Sequence, residues 1–297
     1  MGEVAEVSSV RAFDGYWKRY VHLSATCACN MHFSVYLPAA ATQAKVPVVM
    51  CLSGLTCNDE NFPTKSGAAR RASQKGIALV VPDTSPRATD VAYAANSYDL
   101  GYGAGWFVNA TEEPWKQNWR MFDYVRRELV DVLAEAFPQV IDVNRISLLG
   151  HGMGGHGALV LALRCPGVYR AVSCFAPVCS AANCPWGIKA LQEYLGQDRE
   201  SWGEYDATLL MKAYAAAEPP PPLLIDQGTS DAFLREQLKV NAFAAAALDR
   251  GDVVLTLRMQ PNYDHSYQFI ATFIDDHIDF HARHLQSSSS SSSSSSS

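Results

Sequence analysis

Apolar and polar positions alternate in the N-terminal part of the chain: Trp17, Tyr20 and His22 stand around Val21 and Leu23, then Met31, Phe33, Val35 and Leu37 lead to Pro38. A period of two turns one side-chain face to a core, so these runs predict two antiparallel strands. Val46–Leu52 is almost continuously apolar, the pattern of a strand covered on both faces. Spacing then predicts a helix over 67–75 stopped by Gly76, a strand over 77–81, and a helix over 115–136 with Val125, Leu129, Leu133 and Ala136 on one stripe. An apolar strand at 146–149 runs into a glycine-dense turn and a small-residue helix. Strands at 171–175, 223–227 and 253–259 follow, with a helix over 232–250 and a last amphipathic helix reaching about 285. Strands alternating with helices specify an α/β fold, a mostly parallel central sheet with helices on both faces. Residues 1–286 read as a single domain, and 287–297, all serine, as a disordered tail.

Two segments escape this alternation. Residues 87–113 are rich in Gly, Ala and Tyr, and the stretch Tyr98 to Trp106 mixes aromatics with flexible backbone. Long loops in compact domains are usually functional, so Trp106 is a candidate for a substrate wall, against the alternative of a surface excursion. Residues 177–195 are expected to form a loop or cap carrying Trp186, a second candidate on the substrate side.

Charge and cysteine content narrow the function classes. A net charge of −6 without any basic run argues against nucleic acid as the main partner. No apolar run approaches the roughly 18 residues of a membrane span, and the N-terminus is acidic where a secretory signal would be basic. A cytoplasmic protein without a membrane partner is expected. The eight cysteines, Cys27, Cys29, Cys51, Cys57, Cys165, Cys174, Cys179 and Cys184, contain no C-x-x-C pair and read as free thiols. No cofactor or metal is implied. His277, His281 and His284 have helical spacing, but without a ligand-rich partner segment a solvated helix face is expected.

The chemistry concentrates at the turn Gly150-His151-Gly152-Met153-Gly154-Gly155. In α/β-hydrolases the strand-to-helix elbow reads G-x-S-x-G, with the nucleophilic serine at its apex. Gly150, Met153, Gly154 and Gly155 fit that frame, but the apex is Gly152. Downstream, Asp231 lies just beyond a strand end and His265 just before the last helix, in the order elbow, acid, base of that superfamily. In such a triad the histidine takes the nucleophile's proton and the carboxylate orients the imidazole. Asp226 and Asp264 are rival acids. His151 and His156 flank the elbow and are expected to pack beneath it. Cys57, in the loop Ser53 to Cys57, is either a reactive thiol bordering the site or a bystander.

From about Phe13 to Leu285 the chain resembles the S-formylglutathione hydrolases, also called esterase D. The matching motifs are Leu52-Ser53-Gly54-Leu55-Thr56-Cys57, Ala78 to Arg87, Gly103-Ala104-Gly105, Asn109 to Trp115, Cys184-Pro185-Trp186-Gly187, Tyr205 to Thr208, Ile225 to Gly228 and Tyr263-Asp264-His265-Ser266-Tyr267. The resemblance implies an α/β-hydrolase fold and hydrolysis of the thioester S-formylglutathione in glutathione-dependent formaldehyde detoxification. It puts the acid on Asp231, the base on His265 and the oxyanion donors on the backbone N–H groups of Leu55 and Met153. It also leaves room for a homodimer.

The nucleophilic serine would fall on Gly152. Without Oγ no ordinary acyl-enzyme forms, and four readings stand. The glycine is a change introduced into an ordinary hydrolase; or the chain is a non-catalytic binder of a glutathione thioester or a protein partner; or His265 activates a water; or Ser53 or Cys57 substitutes as nucleophile.

Overall fold

The computed structural model describes residues 3–91 and 97–286. The serine tail at 287–297 lies outside the described residues. One sheet has the strand order β1-β2-β3-β5-β4-β6-β7-β8-β9. Its strands are β1 (Ala5–Ala12), β2 (Gly15–Ser24), β3 (Cys29–Leu37), β4 (Val46–Leu52), β5 (Ala78–Pro82), β6 (Ile141–His151), β7 (Tyr169–Phe175), β8 (Leu223–Gly228) and β9 (Leu255–Gln260). The first four ladder members, β1, β2, β3 and β5, pair antiparallel, and β5, β4, β6, β7, β8 and β9 pair parallel. The sheet is mostly parallel, packed with helices, and has the α/β-hydrolase fold.

Central strands β4 and β5 are buried at every position, which is why their sequences are unbroken apolar runs rather than alternating ones. Strand β1 escapes sequence reading because seven of its eight positions are exposed, so it has no apolar face. It forms through its backbone ladder with β2, from Ala5 opposite Val21 to Ala12 opposite Gly15.

Helices α1 (Ala68–Lys75), α2 (Leu129–Ala136), α3 (Met153–Arg164), α4 (Pro185–Leu195), α5 (Val240–Arg250) and α6 (Tyr267–Gln286) carry most of the remaining packing. Three differ from the periodicity. The helix expected over 115–136 begins only at Met121, after Arg120 pairs across a bridge with Asn109, and runs through an α turn at Met121–Asp123 and a wider π turn at Tyr124–Glu128 into α2. The helix expected over 232–250 is interrupted at Lys239, whose φ of 54° is left-handed; the Leu238 carbonyl just before it accepts the Cys179 N–H. The expected cap segment contains α4, started by Pro185 and capped by the Cys184 sulfur accepting the Gly187 N–H.

The expectation of a solvated histidine face on α6 is overturned. His277 and His281 are fully buried. Asp226, inside β8, explains the first: its carboxylate takes a forked pair of bonds from Arg258 and a third from His277 Nε2 at 3.3 Å. Burial alone would raise the Asp226 pKa, but these bonds outweigh it and hold the carboxyl below its ordinary range. His277 stacks on Phe175 with ring centroids 3.8 Å apart, and His281 Nε2 meets Ser173 Oγ at 2.8 Å. Polar spacing on a helix does not reveal a buried acid on another element.

Among the described glycines, the tightest approach of a neighbour to the Cβ position lies where α3 leaves β6. A Cβ on Gly154 would stand 1.9 Å from the Leu52 carbonyl oxygen at the end of β4, and both partners are main chain. No rotamer relieves that overlap. Gly154→Ala is therefore expected to lower stability by about 3 kcal/mol or more, the upper end of overpacking costs. A thermal melt should read a drop of about 6 °C or more.

Candidate active site

The sharp turn between β6 and α3 puts Gly152 at φ 55° and ψ −115°. Three backbone bonds fix these torsions: the Gly152 N–H donates to the Phe175 carbonyl at 3.0 Å, and its carbonyl accepts from His156 at 3.0 Å and Val178 at 3.1 Å. Because the turn is held by main-chain bonds and by the close approach at Gly154, it keeps the geometry of a nucleophile elbow with no side chain at its apex.

Asp231 follows β8, and His265 lies between β9 and α6. The structure brings these two together: His265 Nδ1 is 2.7 Å from Asp231 Oδ2. The Asp231 carboxylate is fully buried and its Oδ1 accepts the Phe233 N–H at 2.8 Å, which fixes its direction. The rival acids are committed elsewhere, Asp226 to Arg258 and His277, and Asp264 to the N–H and hydroxyl of Ser266. With Nδ1–H donated to the carboxylate, the neutral His265 ring presents Nε2 as its basic nitrogen. That atom lies 3.1 Å from where a Cβ on Gly152 would stand. The His265 side chain keeps 21% exposure, so the base is open to a ligand.

Two neighbours hold the ring. His151 packs beside His265 with ring centroids 4.4 Å apart, and Phe233 meets it edge-on at 5.2 Å. Burial, reinforced by the nearby His265, pushes His151 well below the ordinary histidine pKa. His156 is likewise driven down, to about 4, by burial beneath the turn, with a ring nitrogen 3.1 Å from the Trp106 carbonyl. Neither is placed as a base toward Gly152. In the sequence Phe233 carries no signal beyond being an aromatic two residues after Asp231.

Leu55 lies in the loop after β4 and Met153 follows Gly152 at the elbow. In the loop after β4, the Thr56 and Cys57 amides are taken by the carbonyls of Gly103 and Gly54, bonds in which the Leu55 N–H has no part. Met153 is the first residue of α3, where a helical N–H has no intrahelical acceptor and the helix dipole is positive.

The substrate-side candidates separate. Trp186 donates its indole N–H to the Tyr98 hydroxyl at 2.8 Å and packs on Phe233 at 4.6 Å, so the two rings continue as a wall from His265. Trp106 does not line that wall. It is fully buried, its indole N–H bonded to the Asp99 carbonyl and its ring against His156, while its backbone N–H rests on the Met153 sulfur. Apolar packing below the elbow claimed the side chain that its loop had advertised. Cys57 is also buried; its carbonyl receives Arg87 and Thr84, its sulfur lies 3.9 Å from the Tyr267 hydroxyl, and burial pushes the thiol pKa up. That environment opposes a thiolate nucleophile. Ser53 is fully buried as well. Neither has a hydrogen bond with His265 among the described residues. All eight cysteines are free. No described helix is long and apolar enough to cross a membrane.

A family model described as a putative esterase matches residues 24–280. The S-formylglutathione hydrolase of Arabidopsis thaliana is 51% identical over 284 residues, covering 95% of this chain and 98% of that protein. The S-formylglutathione hydrolase of Rattus norvegicus is 48% identical over 286 residues, covering 96% and 100%. The solved structure of an S-formylglutathione hydrolase from Agrobacterium tumefaciens superposes with a TM-score of 0.90 at 41% identity, over 94% of this chain and 99% of that one. With an elbow and an acid–histidine pair at the strand ends of this sheet, and with likeness running over nearly the full length, the chain belongs to the S-formylglutathione hydrolase family of esterases.

Proposed function

We propose that the chain presents the thioester site of an S-formylglutathione hydrolase from which the covalent step has been removed. It takes S-formylglutathione, and simple carboxylic esters, with the carbonyl oxygen directed to the Leu55 and Met153 amides. In place of an Oγ, a water between Gly152 and His265 is the nucleophile. His265 Nε2 removes its proton, the oxyanion is held by the two amides, and the C–S bond breaks as the proton passes to the leaving thiolate, giving glutathione and formate. Asp231 holds the ring through Nδ1 and stabilises the imidazolium. Formaldehyde detoxification is the context the family name supplies.

The observation that carries this reading is the distance of 3.1 Å from His265 Nε2 to the Cβ position of Gly152, with the Asp231 bond intact. A retained base aimed at an apex without a hydroxyl supports an assembled site with slow turnover. Loss of a triad nucleophile costs about a factor of 10⁶ in kcat, leaving about 10³–10⁴ over the uncatalysed rate from binding and the oxyanion hole. Gly152 itself favours a second reading, a non-catalytic binder of glutathione thioesters or of a protein partner.

Assay of the chain beside its Gly152→Ser variant on S-formylglutathione and an aryl ester separates the two. The serine variant is expected to gain about 10⁵–10⁶ in kcat and to become labelled by an active-site phosphonate, which the unaltered chain resists. A serine variant that gains nothing would sink the hydrolase-site reading. Stability should move the other way. Serine must adopt the same positive φ that glycine accepts freely, at a cost of about 1–3 kcal/mol, so Gly152→Ser is expected to melt a few degrees lower in calorimetry.

A further inference from the structure

Gly152 changes more than the rate. In a serine hydrolase the apex hydroxyl occupies the position facing the base, and every other nucleophile waits for the acyl-enzyme. Here no side chain of the apex residue occupies that position. Around the Cβ point of Gly152 the nearest atoms are His265 Nε2 at 3.1 Å, His265 Cε1 at 3.6 Å and Gly54 Cα at 3.9 Å. The clearance is bounded by a base on one side and main chain on the other. The His151 and Phe233 rings pack on His265, with centroids 4.4 Å and 5.2 Å away, and hold its Nε2 toward the clearance.

We infer that this site is an acyl transferase to small neutral alcohols, acting by single displacement with methanol as the probe acceptor. The inference rests on the thioester reading above and extends it to a second substrate. The methanol oxygen forms a bond to the formyl carbon while its proton passes to His265 Nε2, and the oxyanion gathers on the Leu55 and Met153 amides. Collapse breaks the C–S bond, and the proton on His265 is delivered to the departing glutathione thiolate. The products are methyl formate and glutathione, with no change of oxidation state and no enzyme-bound acyl group.

The acceptor therefore enters the bond-breaking step itself. In a hydrolase limited by acylation, methanol would divide the products without changing the rate of thiol release. In this chain methanol should raise thiol release severalfold and in proportion to its concentration, with methyl formate appearing in step by NMR. Two variants locate the effect. Gly152→Ala sets a methyl group 3.1 Å from Nε2, in the place the acceptor needs, and should abolish the methanol-dependent part. His265→Ala should lower it by about 10²–10⁴, the usual worth of a positioned base. Binding of S-methylglutathione by both variants, measured calorimetrically, checks that the site remains folded.

A rate of thiol release in the unaltered chain that does not rise with methanol concentration overturns the inference, as does a methanol effect that survives Gly152→Ala. If that happens while Gly152→Ser gains hydrolysis, the thioester site stands and only the acceptor role falls. If Gly152→Ser also gains nothing, both fall together.

Discussion

The main chain of α3 passes so close to the end of β4 that only hydrogen fits at the Cα of Gly154, opposite the Leu52 carbonyl. That approach sets the sharpness of the elbow, and the elbow aims everything else. It brings the first amide of α3 beside the Leu55 loop, which continues directly from Leu52. It turns the Gly152 Cα toward His265. Bonds from Phe175, His156 and Val178 then hold Gly152 in torsions that a side chain neither causes nor is needed to keep. Backbone geometry and nucleophile are separable parts of this site, and this chain has the first without the second.

The support beneath the turn is electrostatic as well as steric. Phe175 contributes its carbonyl to Gly152 and its ring to His277, and His277 meets the buried Asp226 carboxylate whose charge Arg258 neutralises. A buried carboxylate with one partner removed is strongly destabilising. The strand ends that carry the elbow are therefore tied to α6 by a charged network that never touches the site. On the open side, Asp231 locks His265 while His151 and Phe233 confine its ring. What is left for chemistry is a base aimed at Gly152, with the Gly54 main chain on the other side of the clearance. Such preorganisation stabilises charge in a transition state whichever molecule brings the attacking atom.

Much of this was legible in the residues. Continuous apolar runs marked β4 and the strands after it, and the glycine frame marked the elbow. The order of elbow, Asp231 and His265 marked the acid and base that the structure joins. Less legible were features whose cause lies on another element. Strand β1 has no apolar face and forms by backbone pairing alone. The break at Lys239 follows a Leu238 carbonyl bonded to the Cys179 N–H, and the helix leading into α2 starts late because Arg120 pairs with Asn109. His277 and His281 looked like a polar helix face because the acid and the hydroxyl they meet are distant in sequence. Trp106 looked like a substrate wall because its loop is aromatic and flexible, yet the packing under Met153 took its ring inward.

By itself the sequence determined the α/β alternation, the glycines that permit the elbow, and the absence of a hydroxyl at its apex; these follow from local patterns and from residue identity. Only the tertiary structure decided which of three acids reaches His265, which aromatics stand at the site, and how much room surrounds Gly152. Those depend on distances between loops at the ends of different strands, which sheet order and helix packing set and which local spacing along a chain does not encode.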